Sequence, residues 1–216
     1  MILHRQYSHN IILLFAAILF STATALAHTP RLVVNIVVGG MRGSDIERYY
    51  DNFSANGFRR LIDGGLNFKN TQIDYLHTST AAGLATLSTG TVPALHGVVG
   101  DKWYNYVDSS TVALIVDSKA HSVKFSTGSG NYSPHRLQMP TIGDMLLTSN
   151  PESKQISLAI DPLSAIVING RSGVAYWAET TRTHWTTSSA YVTALPKWVE
   201  SYNDANNNRL YLLARW

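Results

Sequence analysis

The sequence predicts an α/β fold, in which strands of a largely parallel sheet alternate with helices. Residues 31–38, RLVVNIVV, form a β-branched run with one polar residue inside it, a composition typical of a strand covered on both faces. Residues 154–160, KQISLAI, are predicted as a second buried strand, and a helix is predicted just before it. This alternation favours an α/β domain over an all-helical or an all-β one.

The first 27 residues have the pattern of a secretory signal peptide. A basic start with Arg5 precedes the apolar run 11–20, and small residues lead to an A-x-A cleavage site at 25–27. The alternative is a membrane anchor, but the apolar run is shorter than the roughly 20 residues that span a bilayer. We therefore expect an exported protein of the periplasm or cell surface, whose mature chain begins at His28 and has no stable membrane span.

The length of the mature chain predicts one domain, residues 28–216, because about 189 residues can bury a core of their own. The sequence has no cysteine, so an exported chain would depend on packing rather than on disulfides. The formal net charge is +3, and the basic residues are scattered rather than grouped. We therefore expect no nucleic-acid partner.

A turn and a helix follow the first predicted strand. The glycine pair at 39–40 ends that strand, and the S-x-x-E sequence from Ser44 to Glu47 is a capping box that starts a helix. An Asn-Gly pair at 56–57 interrupts the helical pattern, which then resumes and ends at the glycine pair 64–65.

Residues 67–74 are predicted as another strand, which leads into a segment rich in hydroxyl groups, residues 76–104. Small residues at 81–85 favour a helix packed against neighbouring backbone, and Gly90 ends that helix. The start of such a helix carries free N–H groups and a partial positive charge, so it can bind a phosphate. A serine or threonine there is also an ordinary helix cap. The local sequence leaves both interpretations open.

One spacing in the next stretch is compatible with a metal site. Asp117 and His121 are four residues apart, which on a helix would place carboxylate and imidazole on one face. Residues 111–125 have a composition that favours strands and loops instead, so we predict no metal site at this pair.

The rest of the chain continues the alternation. Residues 140–147 are predicted as a helix with Pro140 in its first turn, and residues 154–160 as a buried strand. Two further strands, 174–177 and 183–187, and a helix over 196–202 are predicted after it.

Several segments, in order and spacing, resemble the secreted phosphate-irrepressible alkaline phosphatases. That group belongs to the alkaline phosphatase superfamily, together with the type I phosphodiesterases and nucleotide pyrophosphatases. The similar segments extend over residues 30–208: PRLVVNIVVGGMRGSDIERYY, TSTAAGLATLSTGTVPALHGVVGDKWY, MPTIGDMLL, KQISLAI, GVAYW and ALPKWVESYN. The resemblance implies the N-terminal part of an alkaline-phosphatase-like sheet with helices on both faces, followed by the start of an inserted cap region.

The resemblance also implies an exported phosphoester hydrolase that uses two zinc ions and a threonine nucleophile. Thr80 occupies the nucleophile position, where zinc activates the hydroxyl as the alkoxide. Asp101 occupies a substrate-binding position that is asparagine in the phosphatases, and a carboxylate there accepts hydrogen bonds but donates none. Gly39 stands where the family has a zinc-binding aspartate, and Leu84 where it has a histidine.

Two further features depart from the family. A lysine and an arginine that contact the phosphoryl group in the phosphatases are absent from residues 157–162, and Arg171 is the nearest cation in the sequence. The resembling enzymes also continue well beyond the segment 195–203, and their second half brings the other metal ligands. We therefore expect an incomplete domain whose missing C-terminal half is a partner, with zinc implied by the family but not bound by this chain alone.

Three classes of function follow from these features. The first is a metal-dependent phosphoester hydrolase acting on a phosphate ester through Thr80, with little or no activity as this chain alone. The second is a catalytically inactive family member that serves as a binding or interaction module at the cell envelope. The third is a truncated gene product without an independent role.

Overall fold

The protein is described here from a computed structural model, in which residues 30–124, 130–179 and 184–205 are described. The chain divides into two compact units, Met1–Thr71 and Gln72–Trp216. The predicted signal peptide lies outside the described residues. The prediction of a single incomplete domain over 28–216 stays a prediction.

The described part of the first unit contains short helices: α1 (Gly43–Arg48), a 3-10 helix (Tyr50–Asn52) and α2 (Phe58–Gly64). Helix α1 begins earlier than predicted, at Gly43. Arg42 precedes this first residue, and the backbone N–H of Arg42 donates to Oδ2 of Asp45 at 2.9 Å. Ser44 is therefore inside the helix, and the predicted S-x-x-E capping box is wrong. The predicted interruption before α2 and its end near Gly65 are both confirmed.

The two strands predicted in the first third of the chain are not formed. Residues 31–38 and 67–74 contain no strand. Leu32 and Val33 keep 78% and 76% of their surface exposed. A strand needs a neighbour for its backbone hydrogen bonds, and no strand lies within residues 30–71, the described part of this unit. The apolar pattern of 31–38 identified an extended segment, but it gives no information on which strand would pair with that segment. The predicted sheet joining 31–38 to 154–160 is therefore wrong.

The second unit contains the remaining described elements. Its helices are α3 (Thr80–Thr89), α4 (Pro93–His96), α5 (Ile142–Ser149), α6 (Pro162–Asn169) and α7 (Lys197–Asp204). Its strands are β1 (Lys102–Asn105), β2 (Ser110–Ala113), β3 (Ser122–Val123), β4 (Ile156–Ala159), β5 (Val174–Ala178) and β6 (Trp185–Ser188). No helix among the residues that the structure describes is both long enough and apolar enough to cross a membrane.

These strands form two sheets. Strands β1 and β2 pair as an antiparallel hairpin, and a four-stranded sheet has the order β3-β6-β5-β4. Only β4 and β5 pair in parallel, while β6 is antiparallel to both β5 and β3. The predicted α/β class is confirmed as a mixed α/β fold, but this sheet is not largely parallel.

Helix α5 and strand β4 differ in detail from the prediction. Thr141 caps α5 by accepting from the backbone N–H of Asp144 at 3.1 Å, so Pro140 lies before the cap rather than in the first turn. Strand β4 is at the edge of its sheet, where Ser157 is buried while Ile156 and Leu158 are more than half exposed. The prediction of a strand buried on both faces is therefore wrong at β4.

The C-terminal elements agree with the sequence in type. Strand β5 and helix α7 are formed, and β6 overlaps the described part of the predicted range 183–187 and extends to Ser188. Both strands share a sheet with β4. Their assignment to an inserted cap region stays a prediction.

The core of the second unit lies on two faces of β5. Ala175 and Trp177 pack with α3 and α6, whereas Tyr176, whose side chain points to the opposite face, packs with Val199 of α7. Three alanines and a glycine between 81 and 85, together with Leu84, form the α3 surface, and its small residues allow α3 to approach α6 closely. Helices therefore cover both faces of this strand.

Candidate functional site

The start of α3 separates the two possible roles of its hydroxyl groups. Ser79 is the cap, because its Oγ atom accepts a hydrogen bond from the backbone N–H of Ala82 at 3.2 Å. Thr80 is the first helical residue and is exposed. The capping function thus belongs to Ser79, and the hydroxyl of Thr80 lies next to it at the solvent-accessible end of the helix.

The packing of α3 places this helix start at the carboxyl edge of β4. Ser88, in the last turn of α3, donates to the carbonyl oxygen of Val167, in the last turn of α6, at 3.0 Å. The two helices also pack along their length, so their first turns lie at the same end. Only two residues separate the end of β4 from the start of α6, which puts the first turn of α6, and that of α3, at the edge where open α/β sheets hold their ligands.

The structure brings Asp101 to this helix start. Its Oδ1 atom accepts a hydrogen bond from the backbone N–H of Ala81 at 3.2 Å. The preceding backbone also lies close, since a methyl group at Gly100 would stand 3.6 Å from Nε2 of His77 and 3.8 Å from Oγ of Ser79. Thr80 and Asp101 are therefore neighbours. Gly39 belongs to the other compact unit.

This contact changes the electrostatics of the helix start. A free N–H group in the first turn of a helix attracts anions, and here the carboxylate of Asp101 already accepts from one of them. A second carboxylate lies at the same edge, because Asp161 caps α6 by accepting from the backbone N–H of Ser164 at 2.8 Å. A phosphate at the start of α3 would have to compete with the carboxylate of Asp101.

The cation nearest in the sequence is not at this edge. The backbone N–H of Arg171 donates to Oδ1 of Asp144 at 2.9 Å, and its guanidinium donates to the carbonyl oxygen of Leu137. Gln155, just before β4, donates to the carbonyl of Asn169 at 2.6 Å, so the residues that follow α6 lie at the amino end of β4. Arg171 therefore cannot replace the missing lysine and arginine of the family.

The acceptor of these bonds, Asp144, is a buried carboxylate with a structural function. Burial opposes its ionisation, but hydrogen bonds from the backbone N–H groups of Thr141, Ser172 and Arg171 lower its pKa overall. The charged carboxylate thus joins the cap of α5 to the turn between α6 and β5.

The structure gives Asp117 a different partner from the one that the spacing suggested. The hydroxyl of Ser133 donates to Oδ2 of Asp117 at 2.6 Å and lowers the pKa of that carboxyl group. Nδ1 of His135, not of His121, lies 3.6 Å from the same oxygen. The absence of a metal site at Asp117 and His121 stays a prediction.

The residues present do not fit a two-zinc site. A zinc ion takes three or four protein ligands, and the start of α3 offers the oxygen atoms of Thr80 and Asp101. Across residues 30–124, 130–179 and 184–205, no three histidine, cysteine, aspartate or glutamate side chains gather where they could hold a metal ion. Gly39 has no side chain with which to bind one.

Sequence reasoning gave no function to one residue near this site. His96, in the sequence PALHG, is fully buried and hydrogen-bonds both α3 and the segment that leads to Asp101. Burial lowers the pKa of its imidazole. The fully buried histidine could not be recognised from the sequence, because its partner Thr86 is ten residues away and is one of many hydroxyl-bearing residues.

Comparisons with known proteins agree on one family. Residues 33–209 match the model of the family described as type I phosphodiesterase / nucleotide pyrophosphatase. The alkaline phosphatase PafA of Elizabethkingia meningoseptica is 33% identical over 198 residues, which are 90% of this chain and 36% of that protein. The alkaline phosphatase PhoV of Synechococcus elongatus is 33% identical over 189 residues, 87% of this chain and 34% of that protein.

A protein of Myroides odoratus named calcium-transporting ATPase is 39% identical over 176 residues, 81% of this chain and 32% of that protein. A crystal structure of wild-type PafA matches with a TM-score of 0.78 at 32% identity, covering 82% of this chain and 34% of that one. A PafA structure in which a threonine, an asparagine, a lysine and an arginine are replaced matches with a TM-score of 0.80 at 32% identity, covering 83% and 35%. The chain thus spans about a third of the length of the curated relatives it matches.

Proposed function

We propose a function from the premise that this chain belongs to the type I phosphodiesterase / nucleotide pyrophosphatase family of the alkaline phosphatase superfamily. The chain carries the nucleophile-bearing part of an exported metal-dependent phosphoester hydrolase fold. It has little or no hydrolase activity by itself. The observation that carries this proposal is the hydrogen bond from the backbone N–H of Ala81 to Asp101 beside Thr80. An internal carboxylate occupies the position to which the reaction would bring a phosphoryl oxygen.

Thr80 is the proposed nucleophile position. Its place as the exposed first residue of α3, next to a separate capping serine, supports this assignment. A second support is the PafA variant, in which the replaced threonine and asparagine are separated by the same number of residues as Thr80 and Asp101 here. That agreement also supports the alignment of Asp101 with an asparagine.

The proposed low activity follows from the chemistry of two positions. Gly39 can bind no zinc ion, and Asp101 presents an acceptor where a donor is needed. Donors that stabilise developing charge in a transition state are commonly worth about 10²–10³ in rate each. The family is typically metal-dependent. Zinc at such a site would require ligands beyond Thr80 and Asp101, so we propose that this chain alone does not retain it.

The fold proposed for the chain is the N-terminal part of an alkaline-phosphatase-like sheet with helices on both faces, followed by the start of an inserted cap region. The TM-score of 0.80 and the packing on both faces of β5 support it. Export to the periplasm or cell surface is proposed from the signal-like sequence of residues 1–27.

A second candidate function is a binding or interaction module that has kept the fold and lost the reaction. The carboxylate at the start of α3 favours it, because a site selected for phosphate would not keep an anion on its own helix terminus. The two candidates differ in one measurable property, which is whether any phosphate ester or phosphate binds at Thr80.

The test compares the unmodified chain with Asp101→Asn, using Asp204→Asn as a control that removes the same charge from α7. Inorganic phosphate binding is measured by calorimetry, zinc content by elemental analysis, and hydrolysis with an aryl phosphate. We expect the unmodified chain and the control to bind no phosphate at millimolar concentration and to hydrolyse nothing above background. We expect Asp101→Asn to bind phosphate at least about tenfold more tightly, since a like charge is removed from the helix start.

Two results would overturn the proposal. Hydrolysis by the unmodified chain that is abolished by Thr80→Ala and by a chelator would show that the site is complete. Equal phosphate binding by the unmodified chain and by Asp101→Asn would show that the carboxylate is not the obstacle.

A further inference from the structure

A buried histidine connects the two segments that carry Thr80 and Asp101. His96 is the last residue of α4, and none of its side chain is exposed. Its Nε2 atom lies 3.1 Å from Oγ1 of Thr86 on α3, and its Nδ1 atom accepts from the backbone N–H of Val98 at 3.1 Å. The imidazole thus bonds to the helix that starts at Thr80 and to the segment that leads to Asp101.

These bonds fix which nitrogen of the imidazole carries the proton. Because Val98 donates to Nδ1, that atom holds no proton, and Nε2–H donates to Thr86. The hydroxyl groups of Thr86 and Tyr75 are 2.8 Å apart, which continues the chain of hydrogen bonds toward the surface. Burial lowers the pKa of His96, so the neutral form that these bonds require is the stable one near neutral pH.

Helix α3 is consequently held to the segment 96–101 at two points. The first is the bond from Ala81 to Asp101 at the helix start, and the second is the bond between Thr86 and His96. At a rise of 1.5 Å per residue, Ala81 and Thr86 are about 7.5 Å apart along the axis. One attachment alone would let the segment pivot on the helix, whereas two attachments fix its register.

We propose that His96 is a positioning residue that holds the carboxylate of Asp101 in register with the start of α3, beside Thr80. The proposal rests on the proposed function only for the identity of the site, because it concerns the geometry of Asp101 and not turnover. A histidine that merely stabilised the unit would leave the bond between Asp101 and Ala81 intact in a folded variant. Replacing a positioning histidine would break or weaken the bond between Asp101 and Ala81 even in a folded variant.

Two substitutions divide the functions of the imidazole. In His96→Asn the side-chain oxygen can replace Nδ1 as acceptor for Val98 but cannot reach Thr86. In His96→Gln the side-chain amide can replace Nε2–H as donor to Thr86 but leaves Val98 without its acceptor. Thr86→Val removes the acceptor on α3 while keeping the size of the side chain, and it serves if the His96 variants do not fold.

The readout is the amide resonance of Ala81 in the isotope-labelled full chain, followed by NMR while the solution is acidified. In the unmodified chain this resonance should shift on acidification, and Asp101→Asn should abolish that shift. We expect the folded His96→Asn, His96→Gln and Thr86→Val chains to lose most of it. The matched control is Ser88→Ala, which removes another bond of α3, the one to α6, and should keep the shift.

An unchanged Ala81 shift in a folded His96 or Thr86 variant overturns the proposal, and so does an equal loss in Ser88→Ala. This readout involves neither phosphate nor turnover. Failure of the proposed function, which would appear as phosphate binding or hydrolysis by the unmodified chain, is therefore distinguishable from failure of the positioning assignment.

Discussion

Two segments that both resemble the same family behave differently in this structure. Residues 80–101 form two helices, bury His96 and Val98 completely, and join their ends by the hydrogen bond from the backbone N–H of Ala81 to Asp101. Residues 31–38 are at least as apolar in sequence, yet they form no strand and remain exposed. A helix satisfies its backbone within one segment, whereas a strand depends on a neighbour elsewhere in the chain. Both segments resemble the family, but only residues 80–101 satisfy their backbone hydrogen bonds largely within the segment itself.

The largest expected effect comes from the core beneath the first of these segments. Ile166 on α6 is fully buried against α3, so Ile166→Ala should lower the free energy of unfolding by about 2–5 kcal/mol, from lost burial and the cavity that remains. Urea denaturation measures this change in the free energy of unfolding. The matched control is Ile36→Ala in the exposed segment. An Ile36→Ala cost as large as that of Ile166→Ala would remove the contrast between the two regions.

The buried histidine sharpens the comparison through pH. Burial lowers the pKa of His96 in the folded state, so the unfolded chain takes up a proton first as the pH falls below about 6.5. Stability should be complete above that pH and decrease below it, down to the folded-state pKa, by at most about 1.4 kcal/mol per pH unit from this group.

His135 also has a pKa lowered by burial and contributes in the same direction, so the measurement must be a difference. Unfolding free energies of the unmodified chain and of His96→Gln are compared between pH 7.5 and 5. The unmodified chain should lose more stability than the variant over this range. Parallel curves would mean that His96 is not the group responsible.

The cap of α3 should matter less, and it separates two neighbouring hydroxyl groups. Ser79→Ala removes the acceptor for the backbone N–H of Ala82 and should cost about 0.5–2 kcal/mol. Thr80→Ala should cost no more than about 0.5 kcal/mol, because Thr80 is exposed and is not the cap. Thermal or urea denaturation of both variants gives the answer. The reverse order of costs would exchange the assignments of cap and nucleophile position.

The smallest effect is expected in residues 31–38. Val33→Thr and Ile36→Thr remove apolar surface that is already exposed, so each should change the free energy of unfolding by less than about 0.5 kcal/mol. A loss above about 1 kcal/mol for either would show that this segment is covered in solution, and the contrast with 80–101 would disappear.

The sequence by itself determined the features that depend on neighbouring residues. Helix α3 with its glycine end, the interruption before α2 and the α/β class all follow from capping, propensity and periodicity, which act over a few positions. The resemblance also predicted that Thr80 starts a helix and lies near Asp101, because both positions lie within one continuous motif.

Only the tertiary structure decided the features that depend on distant partners. It made β4 an edge strand, formed no strand at 31–38 among the described residues, directed Arg171 to Leu137, and paired Asp117 with Ser133 rather than with His121. It also brought the carboxylate of Asp101 onto the amide of Ala81, twenty residues away in the chain. Hydrogen bonds and burial of this kind are chosen among all segments of the chain at once, so no local pattern of residues carries the information that selects them.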